Sequence, residues 1–258
     1  MSKNNKVIDL VKLNGAGNSF VIIENINDQM TPRNQLAQLV CRLDLNGKTD
    51  GLLFVEKLQP HKFKWDFYNS DGSTAEMCGN AARCVTRYLS EKENLIGVEL
   101  EIQTLAGSVF GKMISASEIE IKMPPVIIEN FQDGFQRINT GVPHLIYPIE
   151  NIKNVSQNKE HARELRHKWN ANVTFVASIA NDELDAVSFE RGVEDFTLAC
   201  GTGAVAAGVW NILKGNSVNE CQINMPGGCL TIKWDKHTEP FLIGNAVIEL
   251  KKQIVIEV

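Results

Sequence analysis

Apolar and polar residues alternate over residues 3–11, a period-two pattern that predicts a half-buried strand, and strand character resumes over 20–24. Between them lies the turn Asn14-Gly15-Ala16-Gly17-Asn18-Ser19. Its glycines permit positive φ or close backbone approach, and Asn18 can direct an amide at a neighbouring group, although a plain hairpin explains the stretch equally well. Thr31-Pro32 opens a predicted helix to Cys41, with Thr31 as N-cap, Pro32 at the first position and Leu36, Leu39 and Val40 on one face. Strands are predicted at 52–56 and 62–68. A helix follows from Gly79 to about residue 93, burying Ala81, Ala82, Val85 and Leu89, and then several short strands over 98–123. Pro124-Pro125 closes this part of the chain.

Beyond it, strands at 135–139 and 145–148 flank Thr140-Gly141-Val142-Pro143-His144, read as a turn that presents His144. A charged, exposed helix is expected over 158–169, then strands at 172–178 and 184–189. The run over 204–213 is apolar nearly all round. Such a helix has to be buried, so strands must wrap it.

These elements repeat. Phe67-Tyr68-Asn69-Ser70-Asp71-Gly72 leads through a polar loop to Glu76-Met77-Cys78-Gly79-Asn80, and Phe189-Glu190-Arg191-Gly192 leads through another to Ala199-Cys200-Gly201-Thr202-Gly203. Each Cys opens an Ala-rich helix. A strand-turn-strand pattern follows in both copies, around Gly107 and around Gly227-Gly228. Self-similarity of this kind indicates two homologous halves, 1–130 plus 246–258 carrying Cys78 and 131–245 carrying Cys200. The predicted architecture is mixed α/β (α+β), two pseudo-symmetric domains in which strands wrap a central helix.

Composition narrows the function. Of 258 residues, 43% are apolar and 22% charged, as in a soluble globular protein, and the net charge of −5 without a dense Lys/Arg run argues against a nucleic-acid partner. The N-terminus does not resemble a secretory signal and no apolar run approaches about 18 residues, so the expectation is a cytoplasmic protein with no membrane partner; a homodimer is left open. The six cysteines lack metal-ligand spacing, and no metal site is expected. Cys84, Cys221 and Cys229 are read as packed thiols. His61, His161, His167 and His237 are read as packed or solvated. Gly47-Lys48-Thr49 lacks the first glycine of a phosphate-binding loop.

Cys78 and Cys200 stand apart because of where they sit. Unpaired N–H groups in a first helical turn form an anion site, so Gly79-Asn80 and Gly201-Thr202 can hold a carboxylate, and the same dipole is expected to lower each thiol's pKa. Two thiols on opposite sides of one carbon can serve as base and acid, as in a two-base racemase.

At these motifs, with Gly-Ala-Gly-Asn18, Pro143-His144, Asn172 and Pro226-Gly227-Gly228, nearly the whole chain resembles the diaminopimelate epimerase family of pyridoxal-phosphate-independent amino-acid epimerases. The resemblance implies that the strands form a curled, mostly antiparallel sheet or barrel around each central helix. It implies a small amino-acid substrate bound between the two domains, and no metal or organic cofactor. It also implies Cys78 and Cys200 as the acid/base pair, assisted by His144 and Glu190 respectively. Asn18, Asn69, Asn172, Glu190 and Arg191 would bind substrate, the last four chiefly at the end far from the reacting carbon. Three positions depart from the family pattern: Val142 stands where an Asn precedes Pro-His, and Asn14 and Ser19 where His and Asp are usual. A lost hydrogen bond to a charged group costs about 1.5–3 kcal/mol, which makes these three the specificity positions. Conversion of LL- to meso-diaminopimelate leads, racemisation of another amino acid such as histidine is the alternative, and a non-catalytic amino-acid binder ranks below both because both thiols and both assisting residues are present.

Overall fold

A computed structural model describes residues 5–24, 32–129 and 135–257. Its contacts divide the chain into two units, 1–119 with 245–258, and 120–244. The first contains β1 (Asn5–Gly15), β2 (Asn18–Glu24), α1 (Arg33–Arg42), β3 (Gly51–Gln59), β4 (Lys62–Asn69), α2 (Gly79–Lys92), β5 (Glu99–Thr104) and β6 (Gly107–Met113). The strand β7 (Glu118–Lys122) leads into the second unit. There follow β8 (Ile127–Glu129), β9 (Gln136–Asn139), β10 (Pro143–Pro148), a 3-10 turn at Ile152–Asn158, α3 (Lys159–Trp169), β11 (Asn172–Ala180), β12 (Glu183–Glu190) and β13 (Asp195–Phe196). Last come α4 (Gly201–Leu213), β14 (Glu220–Met225), β15 (Gly228–Lys233), β16 (Phe241–Asn245) and β17 (Val247–Glu257), which pairs with β1.

The two units share one connectivity, as the repeat requires. In the first, β1 is antiparallel to β2, β2 parallel to β3, β3 antiparallel to β4, β4 parallel to β5 and β5 antiparallel to β6. In the second the same sequence of pairings runs β9, β10, β11, β12, β14, β15. One face of the first sheet packs on α2 and the other on α1; in the second, α4 and α3 take these places. A strand covered on both faces is buried at every position rather than alternately. Residues 51–55 of β3 and 172–177 of β11 are buried without a break. Helix α4 lies almost wholly inside, as its apolar run demands, and Asn211 within it donates to the Asn181 carbonyl at 2.7 Å.

Several local expectations change. His144 lies within strand β10, completely buried, and not in an exposed turn, because its backbone pairs with Ile138 on one side and Asn172 on the other. Pro32 is the residue before α1 rather than its first, since its carbonyl already accepts from Gln35 and Leu36; the expected cap Thr31 lies outside the described residues. Leu39 faces solvent while Ala37 takes its place beside Leu36 and Val40. Cys229 is exposed, whereas Cys84 and Cys221 are buried as expected. The hairpin between β1 and β2 turns on Ala16 and Gly17, with φ of 52° and 89°, the two positive angles a tight hairpin needs. Among the described residues no helix is long and apolar enough to cross a membrane.

Candidate functional site

In the first unit Cys78 directly precedes α2, with extended backbone (φ −146°, ψ 124°), and its carbonyl accepts the Ala82 N–H at 2.8 Å. The side chain is half-buried. Beside it the helix start is held by a chain of polar contacts. Asn80 donates to Asn18 Oδ1 at 2.7 Å, and Asn18 donates to the carboxylate of Asp50 at 3.3 Å. Asn80 Oδ1 accepts from Arg83 at 2.9 Å. Arg83 is completely buried and also donates to the carbonyls of Gly79 and Asn245. Burial works against its charge, and the neighbouring thiols Cys84 and Cys78 work in its favour. Burial likewise pushes the Cys84 thiol up to about 12, an inert packed sulfur.

Two of the three departures from the family pattern, Asn14 and Ser19, form their own cluster. Asn14 donates to Ser19 Oγ at 3.0 Å, and Ser19 donates to Glu249 at 3.1 Å. Lys12, buried, donates to the carbonyls of Leu45, Asn46 and Gly47 and stands 3.6 Å from Glu249. Asn69 closes a separate loop, donating to Ser73 Oγ at 3.0 Å.

In the second unit Cys200 precedes α4 in the same extended conformation and is buried, its N–H directed at Met225 Sδ. Strand register brings the other groups to it. His144 pairs with Asn172, and Thr174 with Ser188. Because alternate residues share a face, Asn172 with Thr174 and Ser188 with Glu190 point the same way. His144 Nδ1 is 2.8 Å from Thr174 Oγ1, and its Nε2 is 2.9 Å from Thr202 Oγ1 and 3.3 Å from Asn172 Nδ2. Thr174 and Ser188 hydroxyls meet at 2.9 Å. Thr202 Oγ1 lies 3.5 Å from Cys200 Sγ, and Ser188, Glu190 and the Gly203 N–H are the other polar neighbours that bear on the thiol. Gly203 has no Cβ for a reason: one would come within 2.3 Å of Ser188 Oγ and 3.1 Å of both His144 and Thr174.

Here the expected lowering of the thiol pKa fails. Burial and then the carboxyl of Glu190 push Cys200 up to about 12, against the lowering by Thr202, the Gly203 N–H and Ser188. Burial also raises the Glu190 carboxyl, against its bonds to Thr197 and Cys200. With no charged partner near, burial holds His144 down at about 3. The unit therefore rests with a thiol and a neutral imidazole.

Five residues singled out in the sequence, Cys200, Thr202, His144, Asn172 and Glu190, gather within one unit. Arg191 and Gly201 adjoin them; Arg191 is exposed and donates to Asn170 Oδ1 at 3.1 Å. Cys78, Gly79, Asn80, Asn18, Asn14 and Ser19 gather in the other, with Asn69 in its own loop. Val142, half-buried, precedes β10 in a loop turned by Gly141. Sequence reasoning missed Thr174, Ser188, Arg83, Asp50 and Gly203. The polar pairs Asn172/Thr174 and Ser188/Glu190, two apart in otherwise apolar strands, were the available signal. Among the described residues no group of three or more His, Cys, Asp or Glu is arranged to hold a metal.

The diaminopimelate epimerase family profile matches residues 10–127 and 137–249. The diaminopimelate epimerase of Aquifex aeolicus is 32% identical over 91% of this chain and 93% of its own length, and that of Helicobacter pylori strain HPAG1 is 37% identical over 76% and 77%. Among solved structures, a Bacillus anthracis phenazine biosynthesis protein of the PhzF family has a TM-score of 0.75 at 14% identity, covering 97% of this chain and all of that one. A hydroxyproline epimerase from Agrobacterium vitis has a TM-score of 0.69 at 13% identity, covering 99% and 93%. At such identities the structures share the fold. The sequence matches extend through both cysteine motifs and over most of each relative, and on them the chain belongs to the diaminopimelate epimerase family and is an isomerase.

Proposed function

We propose that this isomerase inverts the α carbon of an amino acid without a cofactor, Cys78 and Cys200 acting in turn as base and acid, and that its reaction is the conversion of LL- to meso-diaminopimelate. The observation that carries the reading is the placement of both thiols directly before matched helices, α2 and α4, on duplicated scaffolds. One sulfur, as thiolate, takes the α proton, leaving the electron pair on carbon, and the other gives its proton to the opposite face. One S–H bond forms and one breaks, so the pair is exchanged after each turnover. First-turn N–H groups of Gly79-Asn80 and Gly201-Thr202 favour the substrate carboxylate and the charge that builds beside it. Glu190, hydrogen-bonded to the Cys200 thiol, assists that residue, with His144 as the other assisting group. Asn18, Asn69, Asn172 and Arg191 supply hydrogen bonds to the amino-acid ends.

Val142 favours a second reading, racemisation of an amino acid with an uncharged side chain. An apolar residue replaces an amide there, and burying a polar group without a partner costs roughly 1–3 kcal/mol. Deuterium uptake from D2O against a panel of amino acids, with kcat/KM for wild type and Val142→Asn, separates the readings. Diaminopimelate as the fastest wild-type substrate, turned over better still by Val142→Asn, by about tenfold if one charged hydrogen bond is gained, supports the first. A Val142→Asn variant that weakens the fastest reaction while raising trace diaminopimelate activity supports the second. A wild type inert toward diaminopimelate that racemises a monocarboxylic amino acid establishes the second, and no exchange with any amino acid leaves only a binder.

A further inference from the structure

The hydrogen bonds around Cys200 have a direction, and one amide sets it. The backbone N–H of Arg191 donates to Asn172 Oδ1 at 2.8 Å. That bond identifies the oxygen end of the amide, so the NH2 end faces His144 Nε2. An NH2 group only donates; Nε2 must accept and carries no proton. His144 is fully buried and neutral, so its single proton is on Nδ1 and is donated to Thr174 Oγ1. Thr174 then gives its own hydrogen to Ser188 Oγ, which leaves the Ser188 hydrogen for the neighbouring Cys200 sulfur. On the other side Thr202 donates to Nε2 and turns an oxygen lone pair toward the thiol.

We propose that Asn172 is a positioning residue that locks His144 in its Nδ1–H tautomer and thereby aims the hydroxyls of Thr174 and Ser188 as donors at the sulfur of Cys200. A thiolate at Cys200 keeps a donor in Ser188, and the proton lost in forming it passes to the Glu190 carboxylate, one S–H bond breaking as one O–H bond forms. Preset donors of this kind cost no reorganisation when charge develops. The titratable groups facing the sulfur are Glu190 from β12 and, through Thr202, His144 from β10; β11 contributes the uncharged Asn172 and Thr174, and β14 contributes Met225. The steric need for Gly203 has the same origin, since the first turn of α4 lies directly on the hydroxyl chain.

The inference deepens the proposed role of Cys200 and rests on that reading only for its catalytic meaning, because the tautomer is measurable without substrate. Proton–nitrogen correlation spectra of 15N-histidine-labelled protein, assigned with His144→Gln, should show the wild-type ring protonated at Nδ1 and bare at Nε2. Asn172→Asp puts an oxygen where the NH2 group stood and should move the proton to Nε2 or leave both nitrogens protonated. A wild-type ring protonated at Nε2 overturns the proposal whether or not any variant folds, and so does an Asn172→Asp ring unchanged from wild type. Labelling of the Cys200 peptide by iodoacetamide at one fixed alkaline pH gives the second arm. Ser188→Ala and Thr174→Val should each label about tenfold more slowly than wild type, equivalent to one unit in thiol pKa, and Thr174→Ser should restore the rate. Equal rates in all of them overturn the aiming of the hydroxyls. If diaminopimelate and every other amino acid prove inert while the tautomer is as stated, the catalytic reading fails and the positioning stands.

Discussion

The two halves place different chemistry at the same register positions. Phe20 pairs with Gly51 as His144 pairs with Asn172, and Leu53 lies opposite Phe67 as Thr174 lies opposite Ser188. Beneath α2 the result is apolar, with Phe20 and Phe67 edge to face at 5.7 Å. Beneath α4 it is a chain of hydroxyls and an imidazole. The scaffold accepts either filling because each is complete: rings pack against rings, and every polar atom of the chain has a partner. Three residues after its cysteine, the first half has Ala81, whereas the hydroxyls leave the second half room only for Gly203. The buried charge differs too. Arg83 stands by Cys78, and the carboxyl of Glu190 stands by Cys200.

The largest effect expected is loss of both halves' function through either thiol. Cys78→Ala and Cys200→Ala should each lower racemisation by about 10³-fold or more, read as deuterium uptake, while Cys41→Ala and Cys229→Ala stay near wild type. Turnover close to normal in either of the first two would sink the two-thiol mechanism.

Next comes the buried cation. Arg83→Met strips donors from Asn80 Oδ1 and from the carbonyls of Gly79 and Asn245, and should cost about 3 kcal/mol in denaturant unfolding. An unchanged midpoint would mean that the first half does not depend on its charge.

The halves should also differ in their response to acid. Held near 3 against an ordinary 6.5, His144 stays neutral in the fold while the unfolded chain takes up a proton, so its share of stability is intact above pH 6.5 and shrinks as the pH falls toward 3. At pH 5 the loss should be about 2 kcal/mol. Glu190, raised in the fold, acts in the opposite sense, its share being lost as pH rises from 4.5. Comparison with His144→Gln isolates the histidine: the acid slope between pH 6.5 and 5 should flatten, and an identical slope would show that His144 titrates normally.

The smallest expected contrast is steric. Gly203→Ala should destabilise by about 1–3 kcal/mol through overpacking on Ser188, whereas Ala81→Gly should cost only about 1 kcal/mol of helix propensity and packing. Equal costs would remove the packing distinction between the halves.

The two cysteine helices were legible because helical periodicity and the positions of Cys78, Cys200 and their glycines are local features. The burial of α4 was legible for the same reason, since a helix without a polar face has only one place to go. The matched motifs likewise announced a duplicated architecture. His144 was misread as a turn residue because Gly141 and Pro143 are turn signals, and nothing nearby in sequence reveals that β9 and β11 pair on either side of it. Thr174 and Ser188 passed unremarked because a hydroxyl in a strand has meaning only once register sets it opposite another, and register is fixed by pairings far apart in the chain. The thiol pKa shows the same division: the helix start that favours a thiolate can be read from Cys-Gly-Thr, but burial, which lifts Cys200 to about 12, comes from β10, β11 and β12 closing over it. Local sequence thus determined which residues open helices and which thiols stand at their starts, while tertiary packing decided their solvation and partners, because desolvation and hydrogen-bond direction depend on neighbours brought together only by folding.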